Sequence, residues 1–369
     1  MKAVKLVCAL REGNRPRAPR SLRKRRGTAA VFTLGLAVAL TALALPAAAQ
    51  EVTLKVHHFL PPSSTAHAKF ITPWCDKIAK ESNNRLKCQI FPAMQLGGTP
   101  PQLYDQAKDG VADIVWALPG YTAGRFPSVE VFELPFMMNN AEATSRAVWD
   151  FVQLNARGEF KDVHPLAFHV HGPGYLHMRD KQVKTLDDFK GLKVRAPTRL
   201  TNKMLGTFGA TPVGMPVPQV PEALSKGVID GAAIPWEVVP AVKVQELVKF
   251  HSETDPKSPA LYTSVLIFAM NTAKYDSLPA DLKKVIDANS GPELSAWIGK
   301  VFQEADAPGR KLAQDRGNTF YMVPASELAN WEKASSAIDD DWVKEMNGKG
   351  LDGAALLKSA KDLTQKYGK

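Results

Sequence analysis

Three features of the sequence predict an α/β fold with mainly parallel sheets. Strand-like and helix-like segments alternate through most of the chain, the pattern of parallel strands joined by helical crossovers. About 320 of the 369 residues follow an N-terminal leader, enough for more than one core, since single cores stop growing near ~250–300 residues. From Leu282 onward the pattern becomes mostly helical, interrupted by Thr319–Val323.

The elements follow in order. Val52–Phe59 reads as a strand with Val52, Leu54 and Val56 on one face. Ser63, Ser64 and Thr65 offer N-caps to a helix whose buried stripe is Ala66, Phe70, Trp74 and Ile78, and Pro73 should kink or shorten it. Leu86–Phe91 is the second strand, Thr99–Asp109 a helix and Ala112–Leu118 the third strand. Further strands are expected at Leu166–His171, Leu192–Ala196, Asp230–Pro235, Glu246–His251 and Ser264–Asn271, with helices such as Leu200–Phe208 and Val220–Lys226 between them. Open parallel sheets take ligands at the carboxyl ends of their strands, which points to the loops after Phe59, Leu118, His171, Arg195 and Ile234.

The leader explains the charge. Residues 1–26 hold ten Lys/Arg and one acid, an apolar run spans Ala29–Leu45, and Ala47-Ala48-Ala49 offers small residues for cleavage. These are the three parts of a secretory signal peptide, residues 1–49. The leader carries nine of the chain's ten net positive charges, so the remainder is close to neutral and no nucleic-acid partner follows from its charge. No Cys follows the apolar run to accept a lipid, and no stable membrane insertion is expected. Beyond the leader stand Cys75 and Cys88, a pair that permits either one disulfide or two small buried thiols.

No recognised catalytic pattern is present. The chain has no Gly-x-Ser-x-Gly, His-Glu-x-x-His, phosphate loop, Cys-x-x-Cys or full Gly-x-Gly-x-x-Gly, and Gly172-Pro173-Gly174 reads as a tight turn. His169 and His171 share a strand face, but a third metal ligand is not evident; His57 and His58 face opposite sides. We therefore expect no catalytic residue, metal or cofactor. Arg195 stands out at the carboxyl end of its strand, just before Pro197. A guanidinium there can grip a carboxylate through two parallel hydrogen bonds and cannot lose its charge, although a surface ion pair is the plainer reading. Trp116 and Trp236 follow apolar strands, and Tyr121 and Tyr175 occupy loops, positions suited either to pocket walls or to ordinary packing.

Six segments together resemble the solute-binding proteins of TRAP transporters, of the C4-dicarboxylate-binding (DctP) type: Ser82–Gly98, Lys108–Trp116, Phe126–Phe136, Leu186–Pro197, Gly209–Gly231 and Phe268–Ile286. The resemblance covers essentially the whole chain after the leader. It implies a two-lobed periplasmic-binding-protein fold with crossover segments and a helical C-terminal region. Lobe one would hold residues 50–172 and 263–295, and lobe two 173–262 and 296–369. It implies a periplasmic location, two integral membrane permease subunits as partners and a small organic acid as ligand. In the family the Arg of Gly-Leu-Lys-x-Arg-x-Pro holds the ligand carboxylate, which is Arg195 in this sequence.

Departures from the sialic-acid-binding members narrow the ligand. Tyr175 stands where those members have a second Arg, Ile234 where they have Asn, Val217 where they have Phe, and Leu118 where they have an acid. The anion anchor remains and sugar-binding polarity is lost, so a monocarboxylate such as an aromatic, keto or hydroxy acid is expected. The candidate ligand-binding set is Arg195, Trp236, Tyr175, His177, Tyr121, His58, Phe59 and Met215. Only His58 and His177 offer obvious help to a second carboxylate. A binding protein of another uptake or chemosensory system, or a periplasmic enzyme on an α/β scaffold, would share these fold-level features.

Overall fold

The computed structural model describes residues 51–368, so the expected signal peptide lies outside the described residues. The first sheet has the order β2-β1-β3-β10-β4, from β1 (Val52–His58), β2 (Leu86–Phe91), β3 (Ile114–Ala117), β4 (His164–Val170) and β10 (Val265–Met270). The second has the order β11-β9-β5-β8-β6-β7, from β5 (Gly174–Met178), β6 (Lys193–Ala196), β7 (Thr211–Gly214), β8 (Gly231–Pro235), β9 (Phe250–Glu253) and β11 (Thr319–Met322). Every residue of β3 and β10 is buried, as expected for central strands covered on both faces.

Both sheets are mixed, and the reason is topological. The chain enters the second sheet through β5 and re-enters the first through β10. Each of these strands starts where its neighbours end: Gly174 pairs with Pro235 at the end of β8, and Val265 with Val170 at the end of β4. They therefore run antiparallel to both neighbours, while β1 pairs in parallel with β2 and β3, and β6 with β7 and β8. The ends of the parallel strands and the starts of the crossover strands thus gather on one cleft.

The helices of the first half are α1 (Thr72–Glu81), α2 (Leu103–Lys108) and α3 (Ala141–Phe151). The stripe expected from Ala66 to Ile78 is buried, but Pro73 divides it. Ala66–Ile71 forms a wide π-type turn and α1 begins beside Pro73, which has no N–H to donate to the preceding turn. The structure joins Cys75 of α1 to Cys88 of β2 by a disulfide, with Cα atoms 5.8 Å apart.

The remaining helices are α4 (Arg199–Thr207), α5 (Val220–Ser225), α6 (Thr272–Asp276), α7 (Ala280–Ala288), α8 (Pro292–Glu304), α9 (Asp306–Asp315), α10 (Ala325–Ser335), α11 (Ala337–Gly348) and α12 (Gly353–Tyr367). The boundary expected at residue 296 falls inside α8. This helix runs unbroken and packs its buried face, including Ile298 and Phe302, against α3 and β4, so all of it goes with the first sheet. The C-terminal region also divides: α10 and α11 pack on α4 beside the second sheet, whereas α12 returns to α3 beside the first.

Two short strands escape the sequence reading. β5 follows Gly172-Pro173-Gly174 and is only five residues long. β7 contains Pro212, which is tolerated because β7 is the edge strand. The strand expected at Glu246–His251 starts later, at Phe250, because Val244–Glu246 forms a 3-10 turn behind a left-handed Lys243 (φ 56°).

Candidate ligand-binding cleft

A small, partly open cavity lies where the strand ends meet. All five positions that the strand-end rule singles out, Phe59, Leu118, His171, Arg195 and Ile234, lie on its wall. Most of the remaining wall is apolar, from Val217, Val238, Leu266 and Phe302 among others. Phe59 stacks on Trp116 with ring centroids 4.7 Å apart and planes within 10°, and Tyr121 meets Phe59 edge-on. These rings give one side of the cavity a flat aromatic surface.

Arg195 is 2% exposed. Its backbone stands between β7 and β8, opposite Val213 and Ala232. The guanidinium is fixed by carbonyls: Nε–H donates to Met215 O and Nη1–H to Ala233 O, both at 2.9 Å. No carboxylate among the described residues forms an ion pair with it. Buried charges are ordinarily paired, so a guanidinium neutralised only by carbonyl dipoles retains a strong preference for an anion.

Other polar groups surround it. The Tyr121 hydroxyl accepts from the Val217 amide at 3.0 Å and keeps its own proton to donate; burial pushes its pKa up, and the Arg195 charge draws it partly back. His171 bonds the Gly172 carbonyl through Nδ1 at 2.6 Å, and burial followed by Arg195 lowers its pKa to about 4. Tyr262 Oη, Ser264 Oγ and Glu237 Oε2 are buried on the cavity wall without hydrogen-bond partners. Glu237, Tyr262 and Ser264 were not in the sequence-derived set. Two of them sit on the second crossover, which has no periodicity to mark it.

The crossovers are tightly packed. A Cβ on Gly174 would lie 2.0 Å from the Tyr262 ring, and the Gly174 amide donates to Tyr262 O at 3.0 Å. A Cβ on Gly172 would lie 2.0 Å from Asp306 Oδ2. The two glycines of Gly172-Pro173-Gly174 thus admit a ring and a carboxyl at the junction of the sheets, a role beyond turning the chain. A second link joins the two halves farther out, where Arg199 of α4 donates to Glu130 through Nε and to Glu345 through Nη1, both at 2.7 Å.

The other expected site residues stand away from the cavity wall. Trp236 packs among His177, His251 and Phe320 and donates through Nε1 to Glu253 at 2.8 Å. His177 is fully buried, with Nε2–H donating to Ile234 O at 2.9 Å and Nδ1 accepting from His251 at 2.7 Å. That chain continues from His251 Nε2 to the Asn318 amide at 2.9 Å, so both imidazoles are fully engaged. Tyr175 is buried near Asp306 and Arg310, and its pKa is raised chiefly by burial. His58 bonds His67 at 3.0 Å behind the wall, and burial holds its pKa at about 3. Met215 contributes its carbonyl to Arg195. His169 is engaged on both sides as well, with Nε2 accepting from Trp116 at 2.8 Å and Nδ1 meeting Val170 O at 3.2 Å.

Comparison with known proteins places this geometry in context. The model of the DctP family, described as bacterial extracellular solute-binding protein, family 7, matches residues 56–345. The chain is 56% identical to a TRAP solute-binding protein from Rhodoferax ferrireducens T118, crystallised with copurified benzoate, over 86% of this chain and 98% of that one, with a TM-score of 0.85. It is 49% identical to a marine metagenome TRAP solute-binding protein specific for aromatic acid ligands, crystallised with 3-hydroxybenzoate, over 87% of this chain and 100% of that one, also with a TM-score of 0.85. The C4-dicarboxylate-binding periplasmic protein DctP of Rhodobacter capsulatus is 25% identical over 89% of this chain and 97% of its own length. No helix among the described residues is long and apolar enough to cross a membrane. With the fold, the cleft at the strand ends and a family match across most of its length, this chain belongs to the DctP family, bacterial extracellular solute-binding protein family 7.

Proposed function

We propose that the chain is the extracytoplasmic subunit of a TRAP transporter that captures a small aromatic monocarboxylate and delivers it to integral membrane subunits. The observation that carries this reading is Arg195: a buried cation on a cavity wall with no carboxylate among the described residues paired with it. A ligand carboxylate would supply the missing anion, and the Tyr121 hydroxyl stands ready to donate beside it. The flat Phe59–Trp116 stack and the aliphatic wall suit an aromatic ring better than a polyol. The two relatives of 49% and 56% identity, whose ligands are 3-hydroxybenzoate and benzoate, support the same class. A second carboxylate is poorly served, because His58 and His177 lie off the wall and burial keeps both neutral.

The lobes of this reading are the bodies around the two sheets, with α8 and α12 added to the first, and they close over the ligand about the two crossovers. The test is calorimetry on unfolded, washed and refolded protein. Benzoate or a hydroxybenzoate should bind at least tenfold more tightly than succinate, and Arg195→Ala should abolish that advantage. Succinate binding as well as benzoate would reject the ligand class.

A further inference from the structure

Two polar groups of opposite character share the cavity wall without pairing. Arg195 donates to the Met215 and Ala233 carbonyls, as described. Glu237, just beyond β8, is 7% exposed and its Oε2 has no hydrogen-bond partner. No ion pair joins them, and no other cation approaches Glu237 within ion-pair distance among the described residues. Its neighbour is another carboxyl: Asp306 Oδ1 accepts from the Glu237 amide at 2.9 Å. Burial first, and Asp306 second, push the Glu237 pKa well above the usual carboxylate range, against a smaller opposing effect of Thr65. Burial thus favours the protonated carboxyl, which can donate through O–H and accept. Its surroundings on the wall, Ile234, Pro235 and Val238, are apolar. Tyr262 lies within electrostatic reach of both Arg195 and Glu237, and all three line the same cavity.

We propose that Glu237 determines specificity for a ring hydroxyl: the preferred ligand is a hydroxylated aromatic acid whose meta or para hydroxyl exchanges hydrogen bonds with the Glu237 carboxyl while its carboxylate meets Arg195. This rests on the aromatic-monocarboxylate reading above. An unsubstituted ring leaves Glu237 Oε2 buried and unpaired, which is unfavourable. A hydroxyl both donates and accepts and so completes the carboxylic acid. A second carboxylate at the same place would be buried with no cation within ion-pair distance among the described residues.

The experiment is calorimetry on refolded, ligand-free protein with benzoate, 3-hydroxybenzoate, 4-hydroxybenzoate and terephthalate. In wild type, one hydroxybenzoate should bind about five- to tenfold more tightly than benzoate, the worth of one buried hydrogen bond. Terephthalate should bind weakest. Glu237→Leu should bring the ratio of hydroxylated to unsubstituted acid to about one, and Glu237→Ala gives the same reading if the Leu variant does not fold. Glu237→Gln, which keeps a donor and an acceptor, should retain most of the ratio. A hydroxyl preference that survives loss of the carboxyl in folded protein overturns the proposal, as does a wild type with no such preference. If wild type binds aromatic acids no better than succinate, the ligand class itself fails and this proposal with it.

Discussion

The Tyr121 hydroxyl accepts a hydrogen bond from the Val217 amide at 3.0 Å, tying the loop after β3 on one sheet to the loop after β7 on the other, on the wall of the cavity beside Arg195. Because the bond spans the cleft, the proposed opening of the lobes would break it. Tyr121→Phe keeps the ring against Phe59 but removes the acceptor and the free O–H. Affinity for the aromatic acid should fall about three- to tenfold, the range of one hydrogen bond. The melting temperature of ligand-free protein should move little. Calorimetry and a thermal melt on the same sample check both halves.

Arg195 should dominate affinity. Removing one partner of a buried ion pair costs about 3–5 kcal/mol, so Arg195→Ala should weaken carboxylate binding by roughly two to three and a half decades. Arg195→Lys should recover only part, because a flexible ammonium cannot reproduce the planar fork held by Met215 O and Ala233 O. A folded Ala variant that binds within about threefold of wild type would place the anion anchor elsewhere.

Trp236 should affect stability and leave the ranking of acids intact. Its indole fills the packing around His177, His251 and Phe320 and donates to Glu253. Trp236→Ala should destabilise by about 3–5 kcal/mol, measured by urea unfolding. An unchanged unfolding midpoint with a reordered ligand series would contradict this placement.

Stability should peak at mildly acidic pH. Burial lowers the pKa of His58 and His169 to about 3 and of His171 and His177 to about 4, from 6.5. These groups bind fewer protons in the folded state, so their contribution is complete above about 6.5 and lost as pH falls toward 3. Asp306 and Glu133 behave oppositely: burial raises both to about 8, and for Glu133 the neighbouring Glu130 adds to the effect. The folded state then holds extra protons above the ordinary carboxylate range, and their contribution is lost as pH rises through about 8. Melting temperature should therefore be highest near the crossover and fall on both sides. Asp306→Asn should flatten the alkaline limb alone; an unaltered limb would mean that Asp306 is ionised well below that range.

Reduction should loosen the edge of the first sheet. The Cys75–Cys88 disulfide joins α1 to β2 across 13 positions, a loop for which the chain-entropy model gives about 3 kcal/mol. A Cys75→Ser, Cys88→Ser variant should unfold at correspondingly lower urea. Two alkylatable thiols in denatured, unreduced exported protein would show that the bridge does not form.

What the sequence determined by itself is what local pattern encodes. Alternating strands and helices placed most of the elements, and the strand-end rule pointed to the loops after Phe59, Leu118, His171, Arg195 and Ile234, because period and composition act over neighbouring residues; the role of Arg195 in Gly-Leu-Lys-x-Arg-x-Pro came from the resemblance. Boundaries and directions needed long-range packing. α8 belongs with α3 because its buried stripe is continuous, and β5 and β10 run antiparallel because they enter their sheets from the cleft side. The candidate pocket divides in the same way. Trp236 follows Pro235 at the end of β8, where strand alternation stops, so only packing decided that the indole joins His177 and His251. Glu237, and Tyr262 with Ser264, reach the cavity because two segments distant in the chain converge there. The upward shift of the Glu237 pKa has no signature in the sequence, since it comes from the desolvation that the finished fold imposes.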